Sequence, residues 1–350
     1  MMTKAYAAFN ERDPLGPFQL DRRDPRPTDV DLQILYCGVC HSDLHQVRNE
    51  WNGSKYPMVP GHEIVGRVLR VGKKVSRFKE GDFAAVGVMV DSCRVCQNCQ
   101  DGLEQYCAEG MTGTYNAFER DGLGITQGGY STRITTDERY VYRLAANSPS
   151  RLPGIAPLLC AGITTYSPLR FAGVRKGMQV GIIGLGGLGH LGVKFAASFG
   201  SEVTVISSSR AKETDARRLG AANFLLSTDT HEMEQADSRF DVILNTVSAN
   251  HDYEPYLNLL RFNGRMLIVG LPSRHPELNP MTLLKNRRSI TGSMIGGVPE
   301  TQEMLDYCAA REIVADTELI RMQEINEAYE RMVRGDVRYR FVIDLASLSD

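Results

Sequence analysis

Four glycines crowd one hexapeptide, Gly184-Leu185-Gly186-Gly187-Leu188-Gly189, and no other feature restricts the fold of this chain as tightly. The apolar run Val180–Ile183 before it reads as a buried strand, and the stretch Gly187–Phe199 reads as a helix. Glycines at a strand-to-helix junction permit a tight turn and let the backbone approach a pyrophosphate at the helix N-terminus. A glycine fingerprint alone is weak; one flanked by a strand and a helix is specific, and a merely flexible loop is the competing reading.

The surrounding pattern extends this. Strands are expected at Gln179–Ile183, Val203–Ile206, Val242–Asn245, Arg265–Val269 and Ser289–Thr291, with a helix at Lys212–Leu219 between the second and third. Alternating strands and helices argue for an α/β, doubly wound parallel sheet. Earlier residues read as β-rich, with strands at Val30–Cys37, Ile64–Val71 and Phe83–Val88 broken by turns. A helix at Glu324–Val333 and a strand at Arg340–Ile343 finish the chain. With 350 residues, two domains are expected at about 150 residues each.

Composition excludes several classes. Forty Lys and Arg against 42 Asp and Glu leave a formal charge of −2, which lacks the basic excess of a dedicated polyanion binder. Hydrophobic residues at 42% and charged residues at 23% exclude a disordered chain. The uncharged stretch Gly177–Val193 is too short and glycine-rich to span a membrane. The opening residues lack the apolar segment of a secretory signal, so a cytoplasmic, reducing location is expected, where clustered thiols mean metal or catalysis more than disulfides.

Eight cysteines are present, and four of them follow the spacing Cys93-x2-Cys96-x2-Cys99-x7-Cys107. Four thiolates on one loop satisfy tetrahedral zinc and close the site, which makes it structural. A zinc-ribbon nucleic-acid module would use similar ligands, but only Arg94 lies between them. Three further candidate ligands are scattered: Cys40 in Cys40-His41-Ser42-Asp43-Leu44-His45, His62 in Pro60-Gly61-His62-Glu63, and Cys160 in Leu158-Leu159-Cys160. Spacing cannot join them. Cys160 on an apolar segment also reads as a core thiol. Cys37 and Cys40 form a C-x2-C that suggests a redox dithiol, although Cys37 ends an apolar strand and reads as core, as does Cys308.

The stretches Gly38–Asp43 (GVCHSD), Val59–Glu63 (VPGHE), Gly102–Cys107 (GLEQYC), Leu159–Leu169 (LCAGITTYSPL) and Gly184–Gly189 (GLGGLG) resemble the zinc-dependent medium-chain alcohol dehydrogenases. Within them the chain is most similar to the cinnamyl alcohol dehydrogenase group, and there to bacterial broad-specificity NADP-dependent aldehyde reductases. The likeness runs in order over essentially the whole chain, through Gly292–Gly297 (GSMIGG) to Arg338–Asp344 (RYRFVID).

That resemblance implies a GroES-like catalytic domain from residues 1–155 and 298–350, holding the structural zinc loop 93–107, and a Rossmann domain at 156–297. It makes Cys40, His62 and Cys160 the catalytic zinc ligands, two zinc ions per chain in all. Glu63 resembles the family glutamate that approaches the metal when substrate is absent; a carboxylate beside the site is the other reading. Asp43 is expected to fix the tautomer of His62. Ser42 resembles the hydroxyl that exchanges a proton with the substrate oxygen, and His45, one helical turn on, the outer end of that relay; a surface histidine is the alternative. His41, Thr164, Gly292, Ser293, Met294 and Arg340 resemble cofactor contacts, alongside the loop residues Gly184, Leu185, Gly186, Gly187, Leu188 and Gly189. Trp51, Met294 and Ile295 are expected to line the substrate pocket. Cinnamyl-type relatives often carry Phe where Met294 stands, which favours broad aldehyde reduction.

Cofactor choice is legible separately. An NAD site places Asp or Glu about 20 residues after the glycine loop to hold the ribose hydroxyls. Here the strand ends in Ser207-Ser208-Ser209-Arg210, then Lys212. Hydroxyls and two cations suit a 2′-phosphate, so NADP(H) is expected. Cations at a helix N-terminus oppose its dipole, and that conflict also points to a bound anion. The expected activity is reduction of aromatic and medium aliphatic aldehydes by a homodimer or homotetramer, joined through sheet edges near Ser289–Ile295, with no nucleic-acid or membrane partner. The rivals are an NAD-dependent polyol dehydrogenase and a zinc-binding structural or nucleic-acid module.

Overall fold

Strand Asp29–Gly38 is the spine of the first of two units. The computed structural model describes residues 1–122, 124–145, 149–274 and 276–348. The first unit comprises Met1–Cys160 and Gly296–Asp350, the second Ala161–Ile295.

In the first unit the spine pairs antiparallel with Ile64–Val71, Arg133–Asp137 and Arg340–Asp344. The sheet continues through Phe83–Val86 to Val141–Arg143 on one side, and through Arg340–Asp344 to the parallel strand Thr317–Arg321 on the other. Val30, Leu32, Ile34, Ile64, Val68, Phe341 and Ile343 form its core. Register decides what meets at its end. Cys37 stands opposite Ile64, and Val342 opposite Gly38. The residues just past these strand ends, Cys40 on one and His62 and Glu63 on the next, are therefore brought together beside Arg340, the first residue of the third. Gly38 is required there, because a Cβ would lie 1.9 Å from Glu63 Oε2.

The second unit is a six-stranded, wholly parallel sheet. Its spatial order is Asn223–Leu226, Glu202–Ser207, Gln179–Ile183, Phe240–Asn245, Leu260–Ile268, Ser289–Gly292. Numbered along the chain that is 3-2-1-4-5-6, the doubly wound dinucleotide-binding order, with its reversal at Gln179–Ile183. Every residue of Phe240–Asn245 is buried, as expected of a central parallel strand covered on both faces.

The strands read from the sequence at Ile64–Val71 and Gln179–Ile183 form with those bounds. The helix expected from Gly187 begins at Gly189 and runs to Ser198, because the earlier glycines are used in the turn. The helix expected at Lys212–Leu219 is a 3₁₀ turn, Arg210–Lys212, followed by Glu213–Arg218. Among the described residues, no helix is long and apolar enough to cross a membrane.

Candidate active site

Cys40 caps the helix His41–Val47, and Asp43 in its first turn folds back to accept the Cys40 backbone N–H at 2.9 Å. Asp43 is fully buried and satisfied on both oxygens. Oδ1 lies 3.0 Å from His62 Nδ1 and accepts the Gly61 N–H at 3.2 Å; Oδ2 also accepts the Tyr130 hydroxyl at 3.4 Å. A carboxylate so placed holds the proton of His62 on Nδ1 and leaves the Nε2 lone pair for another partner. Burial opposes a charge on His62, but Asp43 beside it outweighs burial and raises its pKa well above the usual histidine value.

His62 Nε2 is buried and has no hydrogen-bond partner. One ligand atom from each of Cys40, His62, Glu63 and Cys160 lies within 4.8 Å of the others. The two sulphurs are 3.9 Å apart. Contact with Cys160 draws the Cys40 thiol well below its ordinary pKa, while the same contact and burial push Cys160 well above. Two sulphurs and an imidazole with an orphaned lone pair are a donor set suited to zinc, so the residues fit a catalytic zinc. Glu63 is turned partly away, since Oε1 accepts from Arg340 Nη2 in a buried ion pair. Its Oε2 is buried without a partner. Burial raises Glu63 to about 7 even with Arg340 opposing.

Ser42 and His45 are half-buried, three residues apart on the same helix. The His45 ring lies 5.0 Å from that of Trp51 and 6.2 Å from that of exposed His41. Cys37 is wholly buried in the core and forms no disulfide, as is true of all eight cysteines. Cys308 is likewise buried, within the helix Val298–Arg311.

The second cluster is Cys93, Cys96, Cys99 and Cys107, whose sulphurs also lie within 4.8 Å of one another. Backbone N–H groups turn toward them: Cys93 N to Cys107 Sγ and Cys96 N to Cys93 Sγ at 3.3 Å, Ala108 N to Cys96 Sγ at 3.4 Å. The Ala108 N–H leads in drawing Cys96 down to about 6, while burial pushes Cys99 up to about 12. The fifth residue of interest here, Arg94, faces away and pairs with Asp91 and Asp137. This set fits a closed structural zinc.

In the parallel unit, Gly184 has φ +85°, and a Cβ on Gly189 would lie 2.0 Å from the Gly184 carbonyl oxygen. A Cβ on Gly186 would meet nothing within 4 Å. The loop therefore has one glycine for the turn, one for close packing and one facing open space that a pyrophosphate can use. Leu185 is buried beside it. Lys212 Nζ donates to the Leu185 carbonyl at 3.1 Å, which sets its ammonium beside the glycine loop. Ser207 is buried; Ser208 and Ser209 are exposed. Arg210 pairs with Glu232 and Glu213 and lies over the Phe224 ring. Protein carboxylates thus answer part of the dipole conflict that its position creates. Thr164 is buried on the helix Ala161–Phe171. Gly292 ends the edge strand, the Ser293 N–H donates to Ile268, Met294 is partly exposed, and Ile295 has a φ of +39°.

Two residues near the first cluster were not singled out in the sequence. Tyr115 stacks on His62 at 5.9 Å, and Tyr130 donates to Asp43. Neither lies in a spacing that carries chemistry, and no local signal marks them.

Residues 26–146 match the alcohol dehydrogenase GroES-like domain, and residues 187–310 the zinc-binding dehydrogenase domain. The chain is 52% identical over 351 residues to the aldehyde reductase YahK of Escherichia coli K12, with 100% of each chain covered. Among solved structures, a cinnamyl alcohol dehydrogenase of Sorghum bicolor superposes with a TM-score of 0.95 at 43% identity, covering 99% of this chain and 98% of the other. The CAD of Helicobacter pylori complexed with NADP(H) superposes with a TM-score of 0.92 at 39% identity, covering 99% of each.

Proposed function

This chain belongs to the zinc-dependent medium-chain alcohol dehydrogenases, and from that membership we propose that it is an NADP(H)-dependent aldehyde reductase acting on aromatic and medium aliphatic aldehydes. The observation that carries the cofactor assignment is the end of strand Glu202–Ser207. Serines follow it where an NAD site needs a carboxylate, and Lys212 stands over the glycine loop. The NADP(H) complex of the Helicobacter relative agrees with this reading.

Cys40, His62 and Cys160 would hold the catalytic zinc, and three protein ligands leave a position open. When bound, the metal supplies Lewis acidity and the dinucleotide supplies hydride. Ser42 passes a proton to the substrate oxygen, and His45 forms the outer end of the relay. Asp43 keeps His62 in the ligating tautomer. Arg340 holds one oxygen of Glu63, so the carboxylate stays beside the cluster. Trp51, 46% exposed beside His45, offers an apolar wall to a flat aldehyde.

A homodimer through the exposed edge strand Ser289–Gly292 is supported by the apolar side chains around it. Phe262, Met281 and Leu284 are all more than half exposed. Ligating thiols favour a reducing, cytoplasmic setting.

The test is the initial rate of NADPH and of NADH oxidation with one aromatic aldehyde on zinc-replete protein. NADPH is expected to be consumed far faster. A preference for NADH would keep the dehydrogenase and overturn the 2′-phosphate site.

A further inference from the structure

We infer that Tyr130 is a positioning residue for the three-ligand metal site, its phenol and backbone together holding Asp43 and His62 where Nε2 meets Cys40 and Cys160. The inference rests on reading that cluster as a zinc site. Tyr130 is wholly buried, as is Asp43, and Tyr329 is 3% exposed.

The backbone of Tyr130 grips the loop that carries His62. Its N–H donates to the Pro60 carbonyl at 2.9 Å, and the Gly129 N–H donates to the Gly61 carbonyl at 2.8 Å. Gly61 has φ +103°, and a Cβ there would sit 2.7 Å from Tyr130 Cδ1. The ring therefore occupies the space that only a glycine leaves, one residue before the ligand.

The phenol acts on the other half of the pair. Tyr329 OH donates to the Tyr130 oxygen at 3.4 Å. A hydroxyl has one proton, and with its oxygen already accepting, that proton goes to Asp43 Oδ2 at 3.4 Å. Asp43 is thereby held from four sides, by two backbone N–H groups, the imidazole and this phenol. Tyr329 lies on the helix Ile325–Val333, so a C-terminal element reaches the ligand through two tyrosines and a carboxylate.

The alternative is that Tyr130 only fills volume, which phenylalanine would do equally well. Tyr130→Phe and Tyr329→Phe separate the two. Zinc content and the rate of zinc release to a chromogenic chelator are measured on wild type and both variants, with the visible spectrum of the cobalt-substituted proteins. Wild type should hold two zinc ions. In Tyr130→Phe one of them should leave about tenfold faster, the range known for groups that support a metal ligand, while the Cys93–Cys107 zinc stays as an internal control. The cobalt bands of the first site should shift. Tyr329→Phe should move both readouts the same way and less, and it decides the matter alone if Tyr130→Phe does not fold. Wild-type release and spectra in every variant that folds would overturn the inference and leave the zinc site standing. One zinc in wild type, lost with the Cys93–Cys107 cluster's ligands, would overturn the site reading and the inference with it.

Discussion

Arg340 Nη2 donates to Glu63 Oε1, and both side chains are almost wholly buried, at 6% and 0% exposure. Two strand ends impose this pair: Glu63 precedes Ile64–Val71, and Arg340 opens Arg340–Asp344. Breaking one half of a buried pair leaves an uncompensated charge, at a cost of about 3–5 kcal/mol. Arg340→Ala should lose that much unfolding free energy in a urea titration. Arg340→Met combined with Glu63→Gln should lose clearly less, because no lone charge remains. Equal losses would mean that the two residues do not act as a pair.

Six of the eight cysteines stand in the two ligand clusters, and the other two, Cys37 and Cys308, are buried. Zinc-replete native protein should therefore react slowly with a thiol reagent. Chelation should release six thiols, and denaturation two more. Full reactivity before chelation would contradict both metal sites.

Lys212 reaches the glycine loop through the Leu185 carbonyl, whereas Arg210 is turned toward Glu232 and Glu213. Of the two cations, Lys212 should carry more of the 2′-phosphate binding. A charge-assisted hydrogen bond is worth about 1.5–3 kcal/mol. Lys212→Ala should raise the dissociation constant for NADPH by about 10- to 100-fold and change that for NADH little, as read by fluorescence titration. A parallel loss for both cofactors would place Lys212 in the loop's structure instead.

The parallel unit was legible because its signals are local. Strand Gln179–Ile183, the glycine loop and the serine-ended strand each announce themselves within a few residues. Helix Ala161–Phe171 did not, since Ala161 through Leu169 are all buried and a helix without a polar face has no amphipathic period. The N-terminal hairpin, Met2–Ala7 with Gly16–Asp21, was also missed; its turn spans residues 8–15, beyond the two-residue turns that mark hairpins. At the site, Cys40, His62 and Cys160 could be joined only through family resemblance. Strand register brings Cys40 and His62 together, and Cys160 arrives from the end of the turn Ala156–Leu159; both are long-range relations that spacing does not encode. Tyr130 and Tyr329 were invisible for the same reason.

The glycine loop allows fold and binding to be separated by two single substitutions. Gly189 is locked by packing: an added Cβ would lie 2.0 Å from the Gly184 carbonyl oxygen, in backbone that cannot swing aside. Gly186 faces open space, with nothing within 4 Å of its Cβ position. Overpacking costs about 1–3 kcal/mol when methylenes are forced into a filled site. Gly189→Ala should lower the melting temperature of the cofactor-free enzyme, and it should weaken cofactor binding only through that damage. Gly186→Ala should leave that temperature within a degree or two and still weaken NADPH binding, because the new methyl occupies the path by which pyrophosphate reaches the backbone. Calorimetric melting without cofactor, paired with NADPH titration, reads both effects. If Gly186→Ala binds NADPH as wild type does, the pyrophosphate does not lie against that residue, and the glycine loop is a packing device alone.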